Sequence, residues 1–146
     1  MKELSILSAS VLVLGLGGAP LTFADDTPNT CSVATLRGTY AFSGVGTDSG
    51  VPYTTSGRET YDGAGHIKYY QLWEEGGATY TYTGTGTYTM SADCVATAIY
   101  GGNTARRWTF FTGPEGSVIY YNNNTTGNSG IESAGHEDRV SRTLLF

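Results

Sequence analysis

Thr79-Tyr-Thr-Tyr-Thr-Gly-Thr-Gly-Thr-Tyr-Thr-Met-Ser-Ala-Asp-Cys94 is the stretch that decides the fold. Threonine holds every odd position from Thr79 to Thr89, and tyrosine, glycine or methionine holds the even ones from Tyr80 to Met90. A period of two is the side-chain period of a β-strand, so one face carries hydroxyls and the other aromatic rings. Gly84 and Gly86 inside it predict a bend or a close approach of another group. The stretch stops at Asp93-Cys94, and Cys31 is the only other cysteine.

Two cysteines in an exported chain pair, and the first residues read as an export signal. Lys2 gives a weak basic start, which Glu3 cancels, and Ile6 to Leu16 is an apolar run. Thr22-Phe23-Ala24 then puts small residues at the positions a signal peptidase reads. The alternative, a membrane anchor, conflicts with the short run and with Gly15, Gly17, Gly18 and Pro20 that break it. The expected organisation is a signal peptide over 1–24, a leader over 25–35 and one β-domain over 36–146. The protein is then secreted or periplasmic, with no membrane span in the mature chain. A Cys31–Cys94 disulfide is structural on this reading. A metal or redox role would need nearby His or Cys partners or a C-x-x-C spacing, and the sequence has neither.

Composition narrows the function. Of 146 residues, 13 are Asp or Glu against 8 Lys or Arg, a net charge of −5. Nucleic-acid binding calls for a basic patch, so none is expected. Abundant Gly, Thr and Tyr suit strands and tight turns and offer little to helices.

Outward from Thr79–Cys94 the same signals recur. Strands are predicted at Gly38–Val45, Thr54–Tyr61, His66–Glu74, Cys94–Tyr100, Ala105–Thr112 and Ser117–Tyr121. A last one falls between Gly135 and Phe146. Turns fall at Gly44–Pro52, Asp62-Gly63-Ala64-Gly65, Glu75-Gly76-Gly77, Ser91–Asp93, Gly101–Asn103 and Gly113–Gly116, with a polar loop at Asn122–Gly130. Asn123-Asn124-Thr125 and Asn124-Thr125-Thr126 in that loop are formal glycosylation sequons. About eight short strands with tight turns predict an all-β, antiparallel up-and-down barrel of lipocalin-like form, ahead of a sandwich. Leu144-Leu145-Phe146 is expected to pair with an early strand and close it.

The motifs Cys31-Ser-Val-Ala-Thr-Leu-Arg-Gly-Thr-Tyr-Ala-Phe, Tyr61-Asp-Gly-Ala-Gly and Gly84-Thr-Gly-Thr-Tyr-Thr-Met-Ser-Ala-Asp-Cys resemble a family of small exported bacterial proteins of unknown function. The shared pattern is C…L-x-G-x-Y-x-F, then D-G-x-G, then G-x-Y-x-x-x-x-D-C. The resemblance implies a β-barrel of lipocalin or allene-oxide-cyclase type and brings no catalytic residues with it.

Chemistry-bearing motifs are few. His66 and His136 lack metal-binding spacing, so no metal or cofactor is expected. Asp62 and Asp93 read as turn caps whose carboxylates bond the backbone two residues on. No G-x-S-x-G or phosphate loop occurs. Aromatic residues are the strongest functional signal, and the candidate ligand-binding set is Tyr69, Trp73, Tyr80, Tyr82, Tyr88, Trp108, Phe110 and Tyr120. They fill an eight-stranded interior, or they line a pocket for a small apolar or aromatic molecule, or some stack sugars from outside. Three functions follow: a binding barrel without catalysis, which is preferred; an allene-oxide-cyclase-like isomerase; or a surface or carbohydrate-facing module. The isomerase needs an inward carboxylate, with Glu59 and Glu74 as candidates. The surface module needs an exposed row of Tyr80, Tyr82 and Tyr88.

Overall fold

Alternation of inward and outward side chains runs through eight strands that close on themselves. The computed structural model describes residues 30–102, 107–123 and 130–145. The strands are β1 (Arg37–Asp48), β2 (Val51–Asp62), β3 (His66–Glu75), β4 (Ala78–Met90), β5 (Val95–Tyr100), β6 (Arg107–Thr112), β7 (Val118–Asn123) and β8 (Ile131–Ser141). Each pairs antiparallel with the next, and β8 returns to β1, so the sheet is a closed up-and-down barrel. No α-helix occurs among the described residues. The signal peptide expected at 1–24, the central residues of the polar loop with their sequons, and Asn103, Ala105 and Phe146 lie outside them.

Several boundaries differ from the sequence reading. The expected turn at Gly44–Pro52 is only Ser49-Gly50, and both of these residues have positive φ (50° and 84°). A two-residue turn with both φ positive matches the strand twist, so β1 and β2 run almost to it. Gly44 and Gly46 belong to β1, and they leave room for rings. A Cβ on Gly44 would meet the Tyr121 hydroxyl at 2.2 Å, and one on Gly46 the Tyr53 ring at 2.8 Å. The same logic explains Gly84 in β4, where a Cβ would lie 2.7 Å from the Tyr69 hydroxyl. Interior glycines are thus the seats on which aromatic rings lie against the wall.

Closure is made by β8, whose Ile131–Ser141 pairs with Thr39–Asp48. Leu144 and Leu145 lie beyond its end and are exposed, so the closing ladder is made by Ile131–Ser141 and not by them as expected, although the Leu145 amide donates to the Thr39 hydroxyl of β1 at 3.0 Å. Glu132, His136 and Asp138 carry the outer face of β8, and Ser133, Gly135 and Glu137 its inner face. A polar-looking strand therefore closes the barrel because only every second residue has to tolerate the interior.

One end of the barrel is plugged. A 3-10 turn at Val33–Thr35 lies across it, and the Cys31–Cys94 disulfide ties that turn to the β4–β5 connection, with Cα atoms 4.9 Å apart. Tyr88 donates to the carbonyls of Val33 (2.7 Å) and Leu36 (2.8 Å), while Tyr40 donates to the Gly116 carbonyl. The expected leader over 25–35 is therefore part of the barrel's packing from Cys31 onward. Above this plug Leu36, Tyr61, Ile67, Ala98, Phe110 and Ile119 form the packed core.

The other end is open on one side. β5, β6 and β7 have 6 residues each, whereas β4 has 13. Only Gly86–Met90 of β4 pairs with β5. Ala78–Thr85 therefore rises above the neighbouring wall. Outward positions on two of the strands are polar, with Thr81, Thr83 and Thr85 on β4 and Ser56 and Arg58 on β2, whereas Val45, Tyr70, Phe111, Tyr120 and Val140 are exposed on others.

Candidate functional site

Above the core the interior opens into a cavity of about 210 Å³. Nine of its lining residues are aromatic, and four carry carboxyl groups: Asp48, Glu59, Glu75 and Glu137. No Lys, Arg or His among the described residues lines it. Tyr53 lies flat on Trp73, with ring centroids 3.6 Å apart and planes 20° from parallel. Opposite, Tyr100 stands edge-on between Tyr69 and Trp108, at 5.4 and 5.0 Å. Trp73 Nε1 donates to Glu75 at 3.1 Å, and Trp108 Nε1 donates to Ser133 at 3.2 Å, so both indoles are held by their polar edges and turn their faces to other rings.

The floor is a buried cluster of acids and phenols. Glu59 faces in because it shares strand parity with Tyr61 on β2, and it sits in register between Tyr40 of β1 and Tyr69 of β3. Glu137 faces in from β8, in register with Phe42 and Ile119. Both side chains reach the Tyr61 hydroxyl, which lies 2.7 Å from Glu59 Oε2 and 3.1 Å from both Glu137 oxygens. Tyr100 donates to Glu59 as well, 2.9 and 2.8 Å from its two oxygens.

Tyr61 has one proton, and the shorter contact gives it to Glu59. Glu137, 3.1 Å away through both its oxygens, competes for the same hydroxyl proton, and burial beside Glu59 keeps it protonated. Tyr61 thus bridges the two acids, and Glu59 also accepts from Tyr100. The titration order agrees. Burial pushes the Glu59 acid up to about 7, while the Tyr61 and Tyr100 donors pull it back. Burial together with the Glu59 charge drives Glu137 well above the carboxylate range, against the opposing pull of Tyr61. Burial, reinforced by the carboxylates, also raises Tyr61 and Tyr100, so both phenols stay protonated. The floor thus keeps Glu137 a carboxylic acid near neutral pH, while Glu59 stands near its own titration midpoint there.

The sequence-predicted residues separate by position. Tyr69, Trp73, Tyr82, Trp108 and Phe110 line the cavity. Tyr80 and Tyr82 share the inner face of β4, but they rise above β5 and are 48 % and 46 % exposed. Tyr82 still reaches the cavity, whereas Tyr80 only stacks on it at 6.5 Å. Tyr88 is buried in the plug, away from the cavity, so the exposed Tyr80–Tyr82–Tyr88 row does not form. Tyr120 points outward at 64 % exposed, because its neighbours Ile119 and Tyr121 take the interior. Glu74 is exposed and accepts from Thr54 at 3.3 Å, which leaves Glu59 as the inward member of that pair.

His66 lies at the surface on Asp62, 2.7 Å from its carboxylate. Asp62 caps its turn, accepting from the Ala64 and His66 amides at 2.7 and 3.0 Å. Asp93 accepts instead from the Ser91 hydroxyl. The sequence reading missed Glu137, Tyr61, Tyr100, Tyr121 and Tyr53 as parts of the site. Strand parity was the available signal for Tyr61, which stands two residues from Glu59. Compared with models of known protein families and with curated proteins, the chain matches none.

Proposed function

We propose that this chain is an exported barrel that binds a small, largely aromatic or apolar molecule in the cavity above Glu59 and Glu137. The observation that carries the reading is an aromatic-walled space of about 210 Å³ left open where an eight-stranded interior is narrow enough to be filled. That volume lies below the roughly 300–1,000 Å³ of drug-sized sites, which favours a ligand of one or two rings. Export is supported by the disulfide and by the Ile6–Ala24 pattern. The polar outward positions of β2 and β4 are opposite to those of a lipid-facing barrel. The resemblance to small exported bacterial barrels belongs to the same proposal.

The test is fluorescence titration of the oxidised protein with small aromatic compounds, read from Trp73 and Trp108. Saturable quenching is expected, and it should be lost when Tyr82 and Trp108 are both replaced by Ala. No saturable change with any aromatic compound would reject the proposal.

The inward Glu59 favours a second reading, an isomerase or cyclase. A carboxylate beside a carboxylic acid can take a proton from one carbon of a bound molecule and return one to another. Solvent deuterium appearing in recovered ligand would distinguish turnover from simple binding.

A further inference from the structure

We infer that the cavity's occupant is an organic cation, a protonated amine on an aromatic or apolar body. The inference rests on the binding reading above and names its ligand class. Four carboxyl groups line the space, and no cationic side chain among the described residues offsets them. Charge alone would say little, but Glu137 adds a second observation. It is 2 % exposed and lines the cavity, and the Tyr61 hydroxyl that lies 3.1 Å from both its oxygens is also 2.7 Å from Glu59. Once ionised, Glu137 would share that single donor with Glu59, fewer than a buried carboxylate requires. An ammonium group supplies both the missing N–H donors and the compensating positive charge.

The walls fit the same guest. Ring faces attract cations through their quadrupole, and Trp is the strongest of them. Trp73, Tyr82 and Trp108 stand above the acids, with Glu75 held beside Trp73 at 3.1 Å. An ammonium at the floor would leave its ring among these indoles and phenols. A neutral guest of the same shape keeps the stacking and loses the charge pairing. An anionic guest meets carboxyl groups with no lining cation among the described residues to pair with, and is disfavoured.

The experiment compares three nonfluorescent probes of one shape, phenethylamine, 2-phenylethanol and 3-phenylpropanoate, by quenching of Trp73 and Trp108 just above neutral pH. The amine should bind about tenfold or more tightly than the alcohol, and the carboxylate should bind weakest. In the double variant Glu59→Gln, Glu137→Gln, the amine-to-alcohol ratio should fall several-fold, while Glu74→Gln on the outer face leaves the ratio as it was. Equal affinity for amine and alcohol in the unmodified protein would overturn the cation inference and leave the binding reading standing. Absence of quenching by all three would overturn both. If the double variant does not fold, the comparison of the three probes on the unmodified protein still decides.

Discussion

The buried acid pair makes this barrel less stable as the pH rises, which is opposite to the usual behaviour of paired surface carboxylates. Glu59 titrates at about 7 in the folded protein against an ordinary 4.5. Between those values the folded state holds a proton that the unfolded chain has released. Stability then falls with pH, because unfolding gives up that proton. The contribution is fully present below 4.5 and is lost as the pH rises through about 7. The rise from 4.5 to about 7 corresponds to about 3 kcal/mol, and Glu59 is only 7 % exposed, so solvent does little to screen it. Glu137, raised further, acts in the same direction. Urea unfolding followed by tryptophan fluorescence at pH values from about 5 to about 8 should show a midpoint that declines across that span. Glu59→Gln should flatten the decline and be more stable than the unmodified protein at the upper end, by up to about 3 kcal/mol. A midpoint that rises with pH, or a decline unaltered by Glu59→Gln, would refute the buried-pair reasoning.

Other outcomes follow from the same structure. Replacing Cys31 and Cys94 by Ser should cost about 4 kcal/mol on the chain-entropy model for a separation of 63 residues, read as a lower urea midpoint that dithiothreitol no longer changes. Tyr61→Phe removes the hydroxyl shared by both acids and should cost about 1–3 kcal/mol. It should also move the pH of declining stability upward, since Tyr61 holds Glu59 down; an unmoved profile would count against the bridge. Gly84→Ala brings a Cβ within 2.7–2.9 Å of the Tyr69 ring and should cost about 1–3 kcal/mol. Gly113→Ala, with nothing within 4 Å, should change the midpoint little.

Local chemistry was legible where it repeats. The alternation of Thr79–Met90, the Asp62–Gly65 hairpin and the spacing of turns led to an antiparallel barrel, because a strand's faces follow from parity alone. The site was legible only in part. Trp73, Trp108 and Phe110 stand out as large aromatics on strands and do line the cavity. Tyr120 and Tyr121 are adjacent, and one of them must face out. Composition does not choose between them, but packing beside Ile119 does. Tyr88 shares a face with Tyr82, yet it lies at the plugged end, six residues along the same strand.

What the amino-acid order determined by itself was periodicity, turn placement and the pairing of two cysteines, all of which act over a few residues or through sheer lack of alternatives. What only closure decided was the meeting of Glu59 and Glu137 at one phenol, from residues 78 apart in the chain. His136-Glu137-Asp138 reads as a polar surface run, since a buried acid and an exposed one are the same letter. The register of β8 on β1 turns Glu137 inward, and the loss of water there gives an ordinary glutamate its altered acidity.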